Sequence, residues 1–192
     1  MSKRVIIMNF DIESKAYQAF SEAKKIVAQN NMKAEQMAVI RHTNDGAHKF
    51  EIEDFLDFTG NNKASTGGFI GMLVGILGGP LGILLGWFAG GMIGASQDVK
   101  EIRNAQSVFE FLTDKIGEGD TGLILIANEE DNRPLNDLAM FRLGGEITRL
   151  DYDDVEADLK DAQELEKQPD EAAKNKWAEK HPKKTSDHQE DK

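Results

Sequence analysis

Few side chains in this sequence have the type and spacing to do chemistry. His42 and His48 flank Asn44-Asp45-Gly46, and a three-residue hairpin loop with Gly46 in the left-handed position would pair Ala38, Ile40 and His42 with Ile52, Phe50 and His48. Two facing imidazoles suggest a metal, but a structural zinc takes four ligands and no third is in view. The pair therefore reads as two solvated histidines at a hairpin tip. Asp11 stands between an apolar run and a helical pattern, where a carboxylate accepts the free N–H groups of the first turn, so it reads as an N-cap rather than a ligand. Glu51/Glu53 and Glu129/Glu130 lie in exposed patterns and read as solvated faces. The chain has no cysteine, hence no thiolate nucleophile and no Cys-based metal site, and no nucleophile-elbow motif is present. No catalytic, cofactor-binding or metal-ligating residue is assigned, and the expected protein is not an enzyme.

The remaining feature with regular spacing is glycine. The stretch GGFIGMLVGILGGPLGILLGWFAGGMIG lies within a run from Ala64 to Gln97, about 34 residues without a charged side chain. A phosphate-binding loop is excluded, because no GxxxxGK precedes Ser or Thr and the apolar residues between the glycines would bury themselves rather than cradle phosphate. An apolar run beyond about 18 residues is instead the mark of a membrane segment. Gly67, Gly71, Gly75 and Gly79 recur every fourth residue in its first half, and Gly78, Gly82, Gly86, Gly90 and Gly94 in its second. Such spacing lines one helix face with bare backbone and lets two helices approach closely. Gly78-Gly79-Pro80 breaks the run, either as a turn that makes a helical hairpin or as a kink in one long span.

The flanks must decide between these. Before the run, Val5–Phe10 has the pattern of a doubly buried strand, and Ala16, Tyr17, Phe20, Ala23 and Val27 stripe a helix ending near Gln29. Strands over Glu35–Thr43 and Ala47–Glu53 follow. After the run, Asp98 and Glu101 open a helix striped by Ile102, Ala105, Phe109, Leu112 and Ile116, stopped at Gly117/Gly119. Leu123–Ile126 is a second doubly buried strand. A helix with Pro134 in its first turn and Leu135, Leu138, Ala139 and Arg142 along it stops at Gly144-Gly145, and Glu146–Leu150 is a last strand. From Asp151 charge dominates; Val155, Leu159, Ala162 and Leu165 stripe a helix of about four turns, and disorder is expected beyond Pro169.

The fold class expected is α+β, a ferredoxin-like (split βαβ) domain interrupted by an apolar glycine-zipper hairpin, with an extra helix and strand at its end and an acidic C-terminal tail. The divisions are 1–63 and 98–150 for the two halves of the domain, 64–97 for the hairpin and 151–192 for the tail. Neither half has enough strands to bury its own core, so the two share one sheet. Both ends of the insert then lie on one side of a membrane, which favours the hairpin over the kinked span.

The formal net charge is −11, which disfavours nucleic acid as a partner. The apolar run after MSKR ends at Asp11, too short for an export signal, so the domain and both termini are expected on the cytoplasmic side of a membrane.

The segments VIIMNFD, Gly67–Gly94 and FLTDKIGEGDTGLILIANEE with RLGGEITRLD resemble a family of small bacterial proteins of unknown function, described as membrane or general-stress proteins, in which a glycine-zipper hairpin interrupts an α/β domain. The resemblance covers about residues 3 to 160 and implies membrane association and a stress role, with no catalytic residues to carry over. The expected function is thus a non-enzymatic, membrane-associated protein whose partners are the lipid bilayer and further copies of itself. The alternatives are a soluble homo-oligomeric ligand-binding or sensory domain with the hairpin in the oligomer core, and a membrane-perturbing protein.

Overall fold

A computed structural model of the chain describes residues 3–29, 32–44, 49–60, 68–80, 107–167, 175–176 and 179–180. Its strands are β1 (Lys3–Phe10), β2 (Lys33–His42), β3 (Phe50–Asp57), β4 (Thr121–Asn128) and β5 (Glu146–Asp151). Its helices are α1 (Glu13–Gln29), α2 (Phe69–Leu77), α3 (Val108–Lys115), α4 (Arg133–Asn136), continued by a π-helical turn Asp137–Arg142, and α5 (Tyr152–Glu166).

The strands form one antiparallel sheet in the order β3-β2-β4-β1-β5. The two flanks of the apolar run therefore interleave, since β1 pairs only with β4 and β5 and β2 takes β4 as one neighbour. Position follows composition. β1 and β4 are apolar on alternate faces in both directions and lie inside, with both faces covered. β3 carries Glu51, Glu53 and Asp54 exposed, and takes the edge with a bulge at the Val39/Ile40 step of its partner, a placement that discourages further pairing.

Helices cover both faces. On one, α1 and the α4–π element bury Phe20, Leu135 and Leu138 against Ile6, Met8, Val39 and Leu125. On the other, α2, α3 and α5 bury Leu73, Leu77, Phe109, Leu112 and Leu159 against Ile7, Ile40, Ile124 and Ile126. The period of two along each central strand divides its side chains between the two cores.

Several boundaries differ from expectation. Helix α1 starts at Glu13, so the residue before it is Ile12, and Asp11 lies one step further out, exposed. His42 pairs with Phe50 and Arg41 with Glu51, two residues from the register that placed His42 opposite His48; His48 itself lies outside the described residues. Helix α3 begins after Ser107, whose φ of −68° and ψ of 159° are extended, so no helix runs continuously from Asp98 to Ile116. Ser107 and Glu110 form a reciprocal capping box; the expected start at Asp98/Glu101 lies outside the described residues. The helix after Pro134 does stop at Gly144, whose φ is +67°, but its second half is π-helical, with Leu143 N–H donating to Leu138 O at 3.1 Å.

The first part of the acidic C-terminal stretch packs on the domain. Val155, Leu159, Ala162 and Leu165 stripe α5 as expected, and all four are buried in the core. Asp151 caps this helix by accepting from Asp153 N–H. Expectations for Trp177 and for the chain beyond Pro169 lie outside the described residues.

Candidate functional site

The first half of the uncharged run forms α2, and α2 belongs to the domain core. Ile70, Leu73, Val74, Ile76 and Leu77 are buried between β2, β3 and α5. Its first turn is held from the sheet: Gln36 Oε1 accepts from Ile70 N–H at 3.1 Å, and Phe69 stacks on Tyr152 with ring centroids 4.5 Å apart. A stretch read as one arm of a free-standing hairpin is thus a helix of the α+β domain, because one of its faces fits the apolar face of the sheet.

The glycines take different places. Gly75 is exposed, and a Cβ there would meet nothing within 4 Å; Gly71 is half-buried. Gly78 ends α2 as its C-cap, its N–H donating to Val74 O at 2.9 Å, and a Cβ on it would lie 3.4 Å from Phe50 N. At Gly79 a Cβ would stand 2.8 Å from Gly75 O, so no larger residue fits without a shift. The helix stops here, immediately before Pro80. Gly67, Gly82, Gly86, Gly90 and Gly94 lie outside the described residues.

The described residues on either side of 81–106 both lie against α5. A Cβ on Gly79 would lie 3.7 Å from Glu166 Oε1, and Val108 N–H donates to Asp158 Oδ2 at 2.7 Å. Asp158 and Glu166 are two turns apart, about 12 Å at 1.5 Å per residue.

Beside the start of α2 lies a cleft of about 350 Å3, lined by Glu35, Gln36, Asp57, Phe69, Tyr152 and Glu156 among others. Its carboxylates are engaged. Glu35 pairs with Lys3 at 2.9 Å, and Lys3 Nζ also sits 3.9 Å from the Tyr152 ring centroid, a cation–π arrangement. Glu156 pairs with Lys160 at 2.6 Å. Asp57 Oδ1 accepts from Thr59 N–H at 2.7 Å and from Thr59 Oγ1 at 2.5 Å, which hold its carboxyl below the usual range. Burial pushes the Tyr152 phenol up. The arrangement fixes α2, α5 and the β1–β2 region together, and a nucleophile or general base is not set free by it.

The other candidates have structural employment. His42 is buried and stacked on Phe50 at 4.4 Å, and its Nδ1–H donates to Ile116 O at 2.8 Å, which ties β2 to the end of α3. Arg41 pairs with both Glu51 and Glu53 on the exposed face. Glu129 departs from the solvated reading: its side chain is 3 % exposed and forms a bidentate pair with Arg149, while Arg149 also donates to Asn136 Oδ1 at 2.8 Å. Nothing in the Glu129-Glu130 doublet signalled this, since the partner comes from β5 and the geometry exists only once β1 has paired with both β4 and β5. Among the described residues no cluster of His, Asp and Glu could hold a metal ion.

Comparison with protein-family models, with curated proteins and with solved structures gives no match to this chain.

Proposed function

We propose that the chain is a non-enzymatic, membrane-associated protein: an α+β domain at the membrane surface, anchored by the apolar segment Leu81–Ala95. The observation that carries this reading is that an uncharged segment containing Ile83, Leu84, Leu85, Trp87 and Phe88 joins two points of the domain, Gly79 and Val108, that both lie against one helix, α5. With α2 committed to the core, the excursion is too short for two crossings, which take about 40 residues. As a helix, Leu81–Ala95 is about 22 Å long against a hydrocarbon core of about 30 Å. A shallow, re-entrant seat entered and left from one side suits these lengths, with domain and termini on the cytoplasmic side and a role in the stress response following from the family resemblance. Among the described residues no helix is long and apolar enough to cross a membrane, which bears on α2 and not on the segment beyond Pro80.

The same reading makes the domain ferredoxin-like. Because β1 and β2 both run antiparallel to β4, they are parallel to each other; β4 and β5 are likewise parallel through β1. Thus β1-α1-β2 and β4-α4-β5 are two interleaved βαβ units with their helices on one face. The additions are then β3, α2, the apolar segment and α3 in the middle and α5 at the end, in place of an extra helix and strand at the end.

A second reading, a soluble homo-oligomer that buries the apolar segment between protomers, is favoured by the open space at Gly75 on the outer face of α2. Fractionation of cells with a carbonate wash, and protease access to both termini in right-side-out vesicles, tests the choice. The membrane reading expects wash-resistant sedimentation with protected termini; release into the soluble fraction as a defined oligomer would overturn it in favour of the second.

A further inference from the structure

We propose that the end of the domain carrying Ile12, Met140 and Phe141 is a second lipid-contact surface, which lies on the bilayer interface beside the point where Leu81–Ala95 departs; this rests on the membrane reading above. Phe141 is 79 % exposed, Ile12 51 % and Met140 48 %, large apolar side chains turned to solvent on a domain that buries most others of their kind. They belong to one end of the sheet. Ile12 follows Phe10, the last residue of β1, and the Phe10 ring packs directly over Gly145, just past the π-helical turn that carries Met140 and Phe141. Lys15 Nζ would lie 3.8 Å from a Cβ on Gly144, which brings the first turn of α1 to the same corner.

The apolar run leaves from this end as well. Phe10 pairs with Thr121, Thr121 with Arg41, and the adjacent His42 with Phe50; Gly78 rests on the Phe50 backbone. Three strand spacings of about 4.8 Å separate Phe10 from Phe50, so these strand ends are about 14 Å apart along one rim, with the Gly78–Pro80 exit beside Phe50 on one face of the sheet and the Phe141 corner beside Phe10 on the other. A segment that enters the interface at one point of that rim brings the other to the same depth. The occupant is lipid for this reason. The π-helical turn contributes locally, since its wider winding re-aims side chains from those of an α-helix.

The net charge of −11 sets the lipid class. Anionic headgroups would repel the chain, so the contact is with zwitterionic lipid, and binding to phosphatidylcholine vesicles should change little with salt.

The absence of cysteine makes single-site labelling direct. Leu84→Cys, Phe141→Cys and, at the opposite end of the sheet, Lys33→Cys would each carry an environment-sensitive fluorophore in the full chain, read before and after adding phosphatidylcholine vesicles. The expected result is a blue shift and quenching by shallow lipid quenchers at positions 84 and 141, with no change at 33. Entry of the label at 84 while that at 141 stays in water overturns this proposal and leaves the membrane reading standing; no change at either overturns both. A label at 141 that is already in an apolar environment before vesicles are added means that protein covers the corner, and also overturns it. In the otherwise native chain, Phe141→Ser should lower vesicle partitioning by about tenfold with unchanged near-UV circular dichroism; equal partitioning would sink the proposal.

Discussion

Phe69 and Tyr152 stack at 4.5 Å with their planes 30° apart, and this contact joins the first turn of the apolar run to the residue that opens the acidic C-terminal helix. Two stretches that composition sets apart, one uncharged and one densely charged, are built into a single core on one face of the sheet. Phe69→Ala should destabilise the domain by about 3 kcal/mol, and a double-mutant cycle with Tyr152→Ala should show a coupling of about 1 kcal/mol. Urea unfolding in the absence of lipid measures both. A loss below about 0.5 kcal/mol for Phe69→Ala would mean that α2 does not belong to the folded domain.

The placement of α2 also makes the two halves of the run unequal. Replacing Leu81–Gln97 by a short Gly/Ser linker should leave a cooperatively folding domain, because the gap along α5 is about 12 Å and about four extended residues cover it. Removing the whole of Ala64–Gln97 deletes α2 and with it Ile70, Leu73 and Leu77 from the core. That protein should lose its cooperative transition and near-UV signal, and equal stability of the two deletions would contradict the packing described.

Glycines in the chain should respond in opposite ways. Gly75→Ala, with open space for the methyl group, should be neutral or stabilising by up to about 1 kcal/mol. Gly145→Ala would drive a methyl into Asn9 O and the Phe10 ring, and should cost about 2 kcal/mol or more. Thermal melts of the two variants should bracket the wild type. Gly82, Gly86 and Gly90 changed together to Leu should shrink the assembly seen by light scattering while the domain stays folded; an unchanged mass would argue against close glycine-face association.

Arg149 closes the edge of the sheet electrostatically. It bonds Glu129 through two nitrogens and Asn136 through a third, so Arg149→Ala leaves a carboxylate that is 3 % exposed without its counter-ion. A loss of about 3 to 5 kcal/mol is expected. The pair Arg149→Met with Glu129→Leu should recover most of it, and failure to recover would assign the loss to packing rather than to the stranded charge.

Asp57 supplies a dependence on acid. The Thr59 hydroxyl and N–H bonds hold its folded pKa below the ordinary carboxylate value. A depressed folded pKa means that its contribution is present above the unfolded value, about 3.9, and is lost as pH falls through the folded one. The stability gap between wild type and Asp57→Asn should therefore be largest near neutrality and close as the pH falls below the unfolded value and through the lower folded one. A gap that widens on acidification would reverse the assignment.

What was legible in the sequence is what depends on neighbours in the chain. The doubly apolar runs that became β1 and β4, the buried stripe Val155, Leu159, Ala162 and Leu165, Pro134 in a first turn and the stop at Gly144 all rest on local periodicity and backbone preference, and each stands in the structure. So does the need of the two flanks for a common sheet, which follows from counting strands. The strand order, the His42–Phe50 pairing, the buried Glu129–Arg149 pair and the burial of α2 depend on which surfaces meet after the chain has folded. A helix rich in Leu, Ile and Gly suits a bilayer and the apolar face of a sheet equally well. Only the apolar face formed by Val5, Ile7, Ile40 and Ile126, assembled from strands far apart in sequence, gave α2 a partner within the domain, and that face does not exist until the tertiary structure does.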